Sequence, residues 1–315
     1  MKVRIKKHTW QTLVRGAFEF LLAVLAYVPW KPALAWGEWM GSIGYRVSAR
    51  YRRVADKNLR LAYGDSLSNA DREALILKMF RNFARMSLVE FLKASYLTPE
   101  NLARLVRVDS FAPIDDLLAR GKGLILVSAH LGNWELLARR AGREGRQVLV
   151  VARQSDDAEF NKLTDKLREH GGYTVHPRGE SPRALLRQLR GNGIIAILCD
   201  QKSDDVFVPF FGHAAGTVAG PAILALKTGA PILPIFCPRQ PDGTYRMETL
   251  PEIDTTRTKN ATADAQRIMT DVTAAIETMV RRYPDQWLWM HDRWRMPPDW
   301  KKSRKAEPVE ARGPE

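Results

Sequence analysis

Cysteine is nearly absent from this chain. Cys199 and Cys237 are the only two in 315 residues, and each lies inside an apolar segment, "IIAILCD" and "PILPIFC". That argues against a disulfide framework and for reduced, buried thiols in a cytosol-facing protein. Neither sits in an electropositive turn, so a nucleophilic cysteine is not expected. Histidine is sparse too: six residues, with no H-E-x-x-H and no zinc-ligand spacing, so neither metal nor cofactor is expected. The G-x-S-x-G elbow of esterases is missing, as are internal repeats and any nucleic-acid motif, so no nucleic-acid partner is expected. Acidic residues are in short supply, 35 against 49 Lys and Arg, which leaves a net charge of +14. The longest apolar run, "FLLAVLAYV" (Phe20–Val28), falls short of the roughly 20 residues a membrane-crossing helix needs.

What is present is basic and amphipathic. Residues 1–60 hold twelve Lys or Arg against Glu19, Glu38 and Asp56, a local excess of +9. Such a balance suits phosphate-bearing partners: nucleic acid, anionic lipid head groups or an acidic carrier protein. The start "MKVRIKK", the apolar run and the A-x-A-like "PALAW" raise the question of a signal peptide. Pro29, Pro32 and the bulky Trp36 and Trp39 argue against cleavage, and Trp10, Tyr27, Trp30 and Trp36 flank the run as an aromatic belt would. The reading is an uncleaved, tilted or half-inserted membrane anchor over residues 1–32, held at its basic end by anionic lipid. The competing reading is a hydrophobic helix packed on the protein's own core.

Helical spacing continues through 33–109. Gly37 and Gly41 form a G-x-x-x-G that permits close helix approach. "SNADREALILKMFRNFARMSLVEFLKASYL" opens on a cap cluster and runs helical to Pro99, with Leu75, Met79, Phe83, Met86 and Phe91 as a core stripe. From about residue 110 the pattern changes. β-type runs at "GLILVSA", "RQVLVVA", "GYTVH", "NGIIAILC" and "APILPIF" alternate with helical stretches near 134–144, 157–170, 181–190 and 218–228, and a last helix spans 262–282. This alternation predicts an α/β fold over 110–296, a mixed, largely parallel sheet flanked by helices. The tail 297–315 has the composition of a disordered segment.

"SAHLGNWELL" (Ser128–Leu137) is the stretch richest in chemistry. Within one helix, His130 and Glu135 would lie about 140° apart. They can meet only if His130 closes the strand and Glu135 opens the next helix, with Gly132 and Asn133 as loop and cap. Ligands bind at such carboxyl ends of α/β strands, and a carboxylate beside an imidazole supports a general base near neutral pH. A capping histidine with an acidic residue at a helix N-terminus is the plain alternative.

"SAHLGNWE" resembles the H-x4-D/E motif of the lysophospholipid-acyltransferase superfamily. More narrowly, the chain resembles the lipid A biosynthesis acyltransferases over nearly its whole length. "RRVADKNLRLAYG" is similar to the family's basic segment after the anchor, "ILCDQKSDDVFVPFFGHAAGTVAGPAILALKTGAPILPIF" to its most characteristic block, and "YPDQWLWMHDRW" to its C-terminal signature. The resemblance implies a glycerolipid-acyltransferase-like fold and transfer of a fatty acyl group to a hydroxyl of a lipid A precursor. The donor would be acyl carrier protein or acyl-CoA, and the site the cytoplasmic face of the inner membrane. It implies His130 as base with Glu135 as its acidic partner, and substrate-binding roles for Arg168, Asp200, Arg153 and Lys166. Arg168 and Lys166 compete for one basic position in "NKLTDKLREHGG". Arg153 matches the arginine of a "YRP"-like element in which Ala152 and Gln154 replace its neighbours. A thioester is already activated, so neither metal nor acyl-enzyme is required.

Three other readings stay open. The acceptor could be another glycolipid, such as a mannosylated phosphoinositide. The chain could be a non-enzymatic basic membrane-surface or nucleic-acid-binding protein, or a thioesterase that admits water. His213 is the weaker base candidate, having no carboxylate close behind it, and His291 is expected in a structural hydrogen bond. Trp287, Trp289 and Trp294 suit a packed or interfacial edge.

Overall fold

The computed structural model describes residues 20–153 and 157–297, with Thr12 and Gly16. The basic start 1–7 and the tail from 298 onward lie outside the described residues.

Helices build the first third. α1 (20–27) ends before Pro29, and α2 (Trp30–Val47), α3 (Ala49–Tyr63) and α4 (Asn69–Ala84) follow. Ser68 and Asp71 close a reciprocal capping box at the start of α4. The helical path predicted to run unbroken to Pro99 changes form part-way. Residues Arg85–Glu90 make a π turn, and a short α5 (Phe91–Lys93) and a 3-10 turn complete the segment. α2 crosses α4 and the π turn at close range because its two interface glycines carry no side chain. A Cβ on Gly41 would come within 2.5 Å of the Phe80 carbonyl oxygen, and one on Gly37 within 2.8 Å of Val89. Among the described residues no helix is long and apolar enough to cross a membrane.

The central sheet carries the rest. After α6 (Pro99–Leu105), β1 (Val106–Arg107) and α7 (Ala112–Leu118), the chain enters β2 (Leu124–Ser128) and alternates through α8 (Trp134–Arg143), β3 (Val148–Ala152), α9 (Ala158–Glu169), β4 (Tyr173–Pro177), α10 (Arg183–Arg190) and β5 (Ile194–Leu198). The hairpin β6 (Val206–Phe210) and β7 (His213–Thr217), then α11 (Gly220–Thr228), β8 (Ile232–Phe236), β9 (Tyr245–Arg246), β10 (Glu248–Thr249) and α12 (Ala261–Arg282) finish it. Strand order is β10-β8-β2-β5-β3-β4, parallel throughout except that β10 runs antiparallel on β8. The five parallel strands are the five apolar runs read from the sequence. In "FFGHAAGT", Phe211 and Gly212 make the turn of this hairpin and His213–Thr217 its second arm.

β2 is buried along its whole length and alternates between two cores. Leu124 and Leu126 face a layer containing Leu136, Leu137 and Val148, whereas Ile125 and Val127 face one containing Leu189, Ala222 and Ile268. Burial on both faces is why the strand reads as a continuous apolar run, not as an alternating one. It also sends the chain's polar chemistry to the strand ends.

Candidate active site

β2 and β5 are neighbours in register, Ser128 opposite Leu198. Two residues further on in each strand come His130 and Asp200, so parallel pairing delivers an imidazole and a carboxylate to the same spot. The His130 ring Nδ1 lies 2.8 Å from Asp200 Oδ1, and the His130 backbone N–H donates to Oδ2 at 2.9 Å. Trp287 Nε1–H donates to Oδ2 as well, at 2.8 Å. Burial would push the Asp200 carboxyl up, but the adjacent His130 charge and these hydrogen bonds outweigh it and hold the pKa at about 2. An ionised carboxylate only accepts, so Nδ1 carries the proton and Nε2 is left as the basic nitrogen.

This corrects the pairing expected from the sequence. His130 does close the strand and Glu135 does lie in the first turn of α8, but no hydrogen bond joins them. The Glu135 carboxylate turns toward α9 and β4, accepting from Arg168 Nη2 at 2.7 Å, from Arg168 Nε at 3.3 Å and from the Tyr173 hydroxyl. Burial works against the Arg168 charge, yet Glu135 more than offsets it and raises its pKa above that of an ordinary arginine. Three donors converge there, so the carboxylate is drawn away from the imidazole. What stands beside the ring is Trp134, edge-on at 4.9 Å between centroids.

The turn carrying His130 is fixed at every residue. Gly132 has φ +64°, donates to the Gln286 carbonyl at 3.2 Å, and sits so close to Cys237 that a Cβ would lie 2.1 Å from its carbonyl oxygen. Asn133 caps α8 by accepting from Leu136 N–H. Behind Asp200, the fully buried Arg293 donates to the Gly216 carbonyl, and burial pushes its guanidinium down to about 10 against the opposing pull of Asp200. His291 makes the structural hydrogen bond expected of it, accepting from Lys202 N–H at 2.9 Å. Both cysteines are buried, and burial pushes both thiols up, away from nucleophilic use.

His130 opens into a cleft of about 630 Å³ whose walls include Trp134, Glu135, Arg153, Arg168 and Arg178. Arg153 and Arg168 therefore line the site, whereas Lys166 is exposed on α9 and does not. Arg178 and Gln201 were not singled out by sequence reasoning; Gln201 places its side-chain amide 3.4 Å from His130 Nε2. Trp134, Glu135, Val150 and Leu198 are shared with a second, almost wholly apolar cavity between α8 and the sheet. A third opening, on the other flank of His130, is lined by Met79, Phe83, Met86 and Arg239. Among the described residues no cluster of His, Cys, Asp or Glu has the arrangement of a metal site.

The site thus combines an imidazole held in one tautomer by Asp200 with a cleft lined by three arginines, and that cleft shares Trp134 and Glu135 with an apolar cavity. The profile of the bacterial lipid A biosynthesis acyltransferases matches residues 5–296, and the chain belongs to that family. It is 25% identical over 289 residues to a lipid A biosynthesis lauroyltransferase of Escherichia coli K12, covering 90% of this chain and 92% of that one. It is 24% identical over 267 residues to the palmitoleoyltransferase of the same organism, covering 83% and 84%. A phosphatidylinositol mannoside acyltransferase of Mycolicibacterium smegmatis is 31% identical over 183 residues, 56% of this chain and 58% of that protein. The protein is an acyltransferase.

Proposed function

We propose that this enzyme moves a fatty acyl chain from the thioester of acyl carrier protein or coenzyme A to a hydroxyl of a lipid A precursor, at the cytoplasmic face of the inner membrane. The observation that carries the reading is the His130–Asp200 pair opening into a basic cleft that shares Trp134 and Glu135 with the apolar cavity. His130 Nε2 takes the proton of the acceptor hydroxyl as its oxygen attacks the thioester carbonyl. Asp200 holds the imidazolium that forms, as the acidic member of a catalytic triad does. The tetrahedral intermediate expels the donor's thiol, which leaves with the proton from Nε2 and returns the histidine to its starting tautomer. Arg153 and Arg178 supply positive charge for phosphate on either substrate while Glu135 holds Arg168 against the cleft wall, and the apolar cavity receives hydrocarbon.

The assay is transfer from a radiolabelled acyl carrier protein to a tetra-acylated lipid A precursor in detergent, with acyl-CoA and a mannosylated phosphoinositide as competing partners. Transfer to the lipid A precursor that His130→Ala abolishes supports the reading. The 31% identity to a phosphatidylinositol mannoside acyltransferase over part of the chain makes that glycolipid the alternative acceptor. Exclusive transfer to it would replace the acceptor and leave the chemistry standing. Full transfer by His130→Ala would remove the proposed base.

A further inference from the structure

The π turn between α4 and α5 ends on Glu90, a carboxylate with no solvent exposure that the chemistry above does not use. It accepts from Arg85 Nε at 3.0 Å, from the Asn133 side-chain amide at 2.8 Å and from the Tyr245 hydroxyl at 2.6 Å. A buried carboxylate is tolerated only when charge and donors satisfy it, and here each donor is supplied by a different part of the chain. Asn133 matters most. Its side-chain oxygen caps α8 through Leu136 N–H, its amide group is given to Glu90, and its own N–H donates to the Cys237 carbonyl at 2.9 Å. With donor and acceptor ends both engaged, the amide of Asn133 has one orientation, and it stands three residues from His130 in the same turn. On the far side, Arg85 Nη1 donates to Glu38 of α2 at 3.3 Å. π turns interrupt α-helices often at functional sites, and this one delivers the carboxylate.

We propose that Glu90 is a positioning residue for the base: through Asn133 it fixes the turn that aims His130 into the cleft, and through Arg85 it ties that turn to α2. This rests on His130 being the base. A small displacement of the imidazole lowers the rate of proton removal without emptying either substrate pocket, so the damage falls on kcat and not on KM.

Glu90→Gln keeps the size and removes the charge, and its NH2 group must face one of the donors, Arg85, Asn133 or Tyr245, from which the carboxylate accepts. Expected is a fall in kcat of roughly tenfold to a hundredfold, with KM for donor and acceptor within about twofold. Adding Asn133→Asp restores a hydrogen bond of reversed direction, the cap and the local negative charge, so the double variant should regain most of the lost kcat. Tyr245→Phe, which deletes one donor, is the milder probe should Glu90→Gln not fold, with a kcat loss of about threefold to tenfold expected. Val272→Ala, in α12 and away from the turn, is the control for lost stability alone, and its kcat at a temperature well below melting should match the wild type. Wild-type kcat in folded Glu90→Gln or Tyr245→Phe, or a double variant no faster than Glu90→Gln, would overturn the proposal. If His130→Ala itself retains transfer, the base assignment fails instead, and the two failures are told apart by that one variant.

Discussion

At the end of β2 the His130 ring gives its Nδ1–H to the Asp200 carboxylate at 2.8 Å, and that bond sets the tautomer. Five positions separate His130 from Glu135, so local spacing makes them the natural pair, yet the imidazole's partner lies seventy residues away. Strands β2 and β5 end at Ser128 and Leu198, so His130 and Asp200 each stand two residues past a strand end, and parallel neighbours in register bring equal offsets together. What the sequence does not contain is which two of five strands are adjacent. The same gap hid the Trp287 donor. Replacing Asp200 by Asn should cost kcat roughly three to four orders of magnitude with folding retained, because an amide can donate and selects the wrong tautomer. Steady-state transfer beside circular dichroism measures this, and a loss below tenfold would mean the carboxylate is only structural. Asp200 also predicts a pH dependence. Its folded pKa of about 2 lies below the ordinary 3.8, so the unfolded chain binds that proton more readily. The stabilisation, on the order of 2 kcal/mol, is in place above pH 4 and disappears as pH falls toward 2. Denaturant midpoints between pH 2 and 5 should therefore drop more for the wild type than for Asp200→Asn.

At the scale of elements, the strands were legible because a parallel sheet buried on both faces writes uninterrupted apolar runs into the sequence. Helices were legible because a one-sided stripe repeats at 3.6 residues. The π turn escaped, since its wider spacing belongs to neither period, and the β6–β7 hairpin escaped because His213, Ala214, Ala215 and Gly216 lack β-branched residues. Short elements defined by tertiary contact leave little local trace. Two element-scale predictions follow from close approach. Gly132→Ala must move the turn or Cys237, as a Cβ has no room and φ is positive. It should cost about 1–3 kcal/mol in stability and most of the activity, to be read by thermal melting and transfer rate. The apolar cavity under α8 gives the other. Ala141 lines it beside Leu137 and Val148, so Ala141→Phe should shift preference toward shorter acyl donors. Competition between lauroyl and palmitoyl carrier protein tests it, and an unchanged ratio would place the hydrocarbon elsewhere.

For the whole molecule, the question is how a basic protein whose described helices are too short or too polar to cross a bilayer reaches lipid substrates. α1, α2 and α3 display large apolar side chains to solvent: Phe20 is 71% exposed, Tyr27 90% and Trp39 58%. Lys31, Arg46, Arg50 and Arg53 are exposed on the same helices. Exposed aromatic side chains and cations are what the headgroup region of an anionic membrane accepts, so we propose that these helices lie in the interface. Each arginine near an anionic surface contributes about 1 kcal/mol. Replacing Arg46 and Arg50 by Ala should therefore weaken partitioning onto phosphatidylglycerol vesicles roughly thirtyfold at low salt. The deficit should shrink as ionic strength rises, because screening removes the same attraction from the wild type. Tyr27→Ser with Trp39→Ser should weaken binding by an amount that salt does not alter, since its origin is apolar. Vesicle flotation at two salt concentrations separates the two contributions, and binding indifferent to all four substitutions would move the membrane contact to another face of the protein.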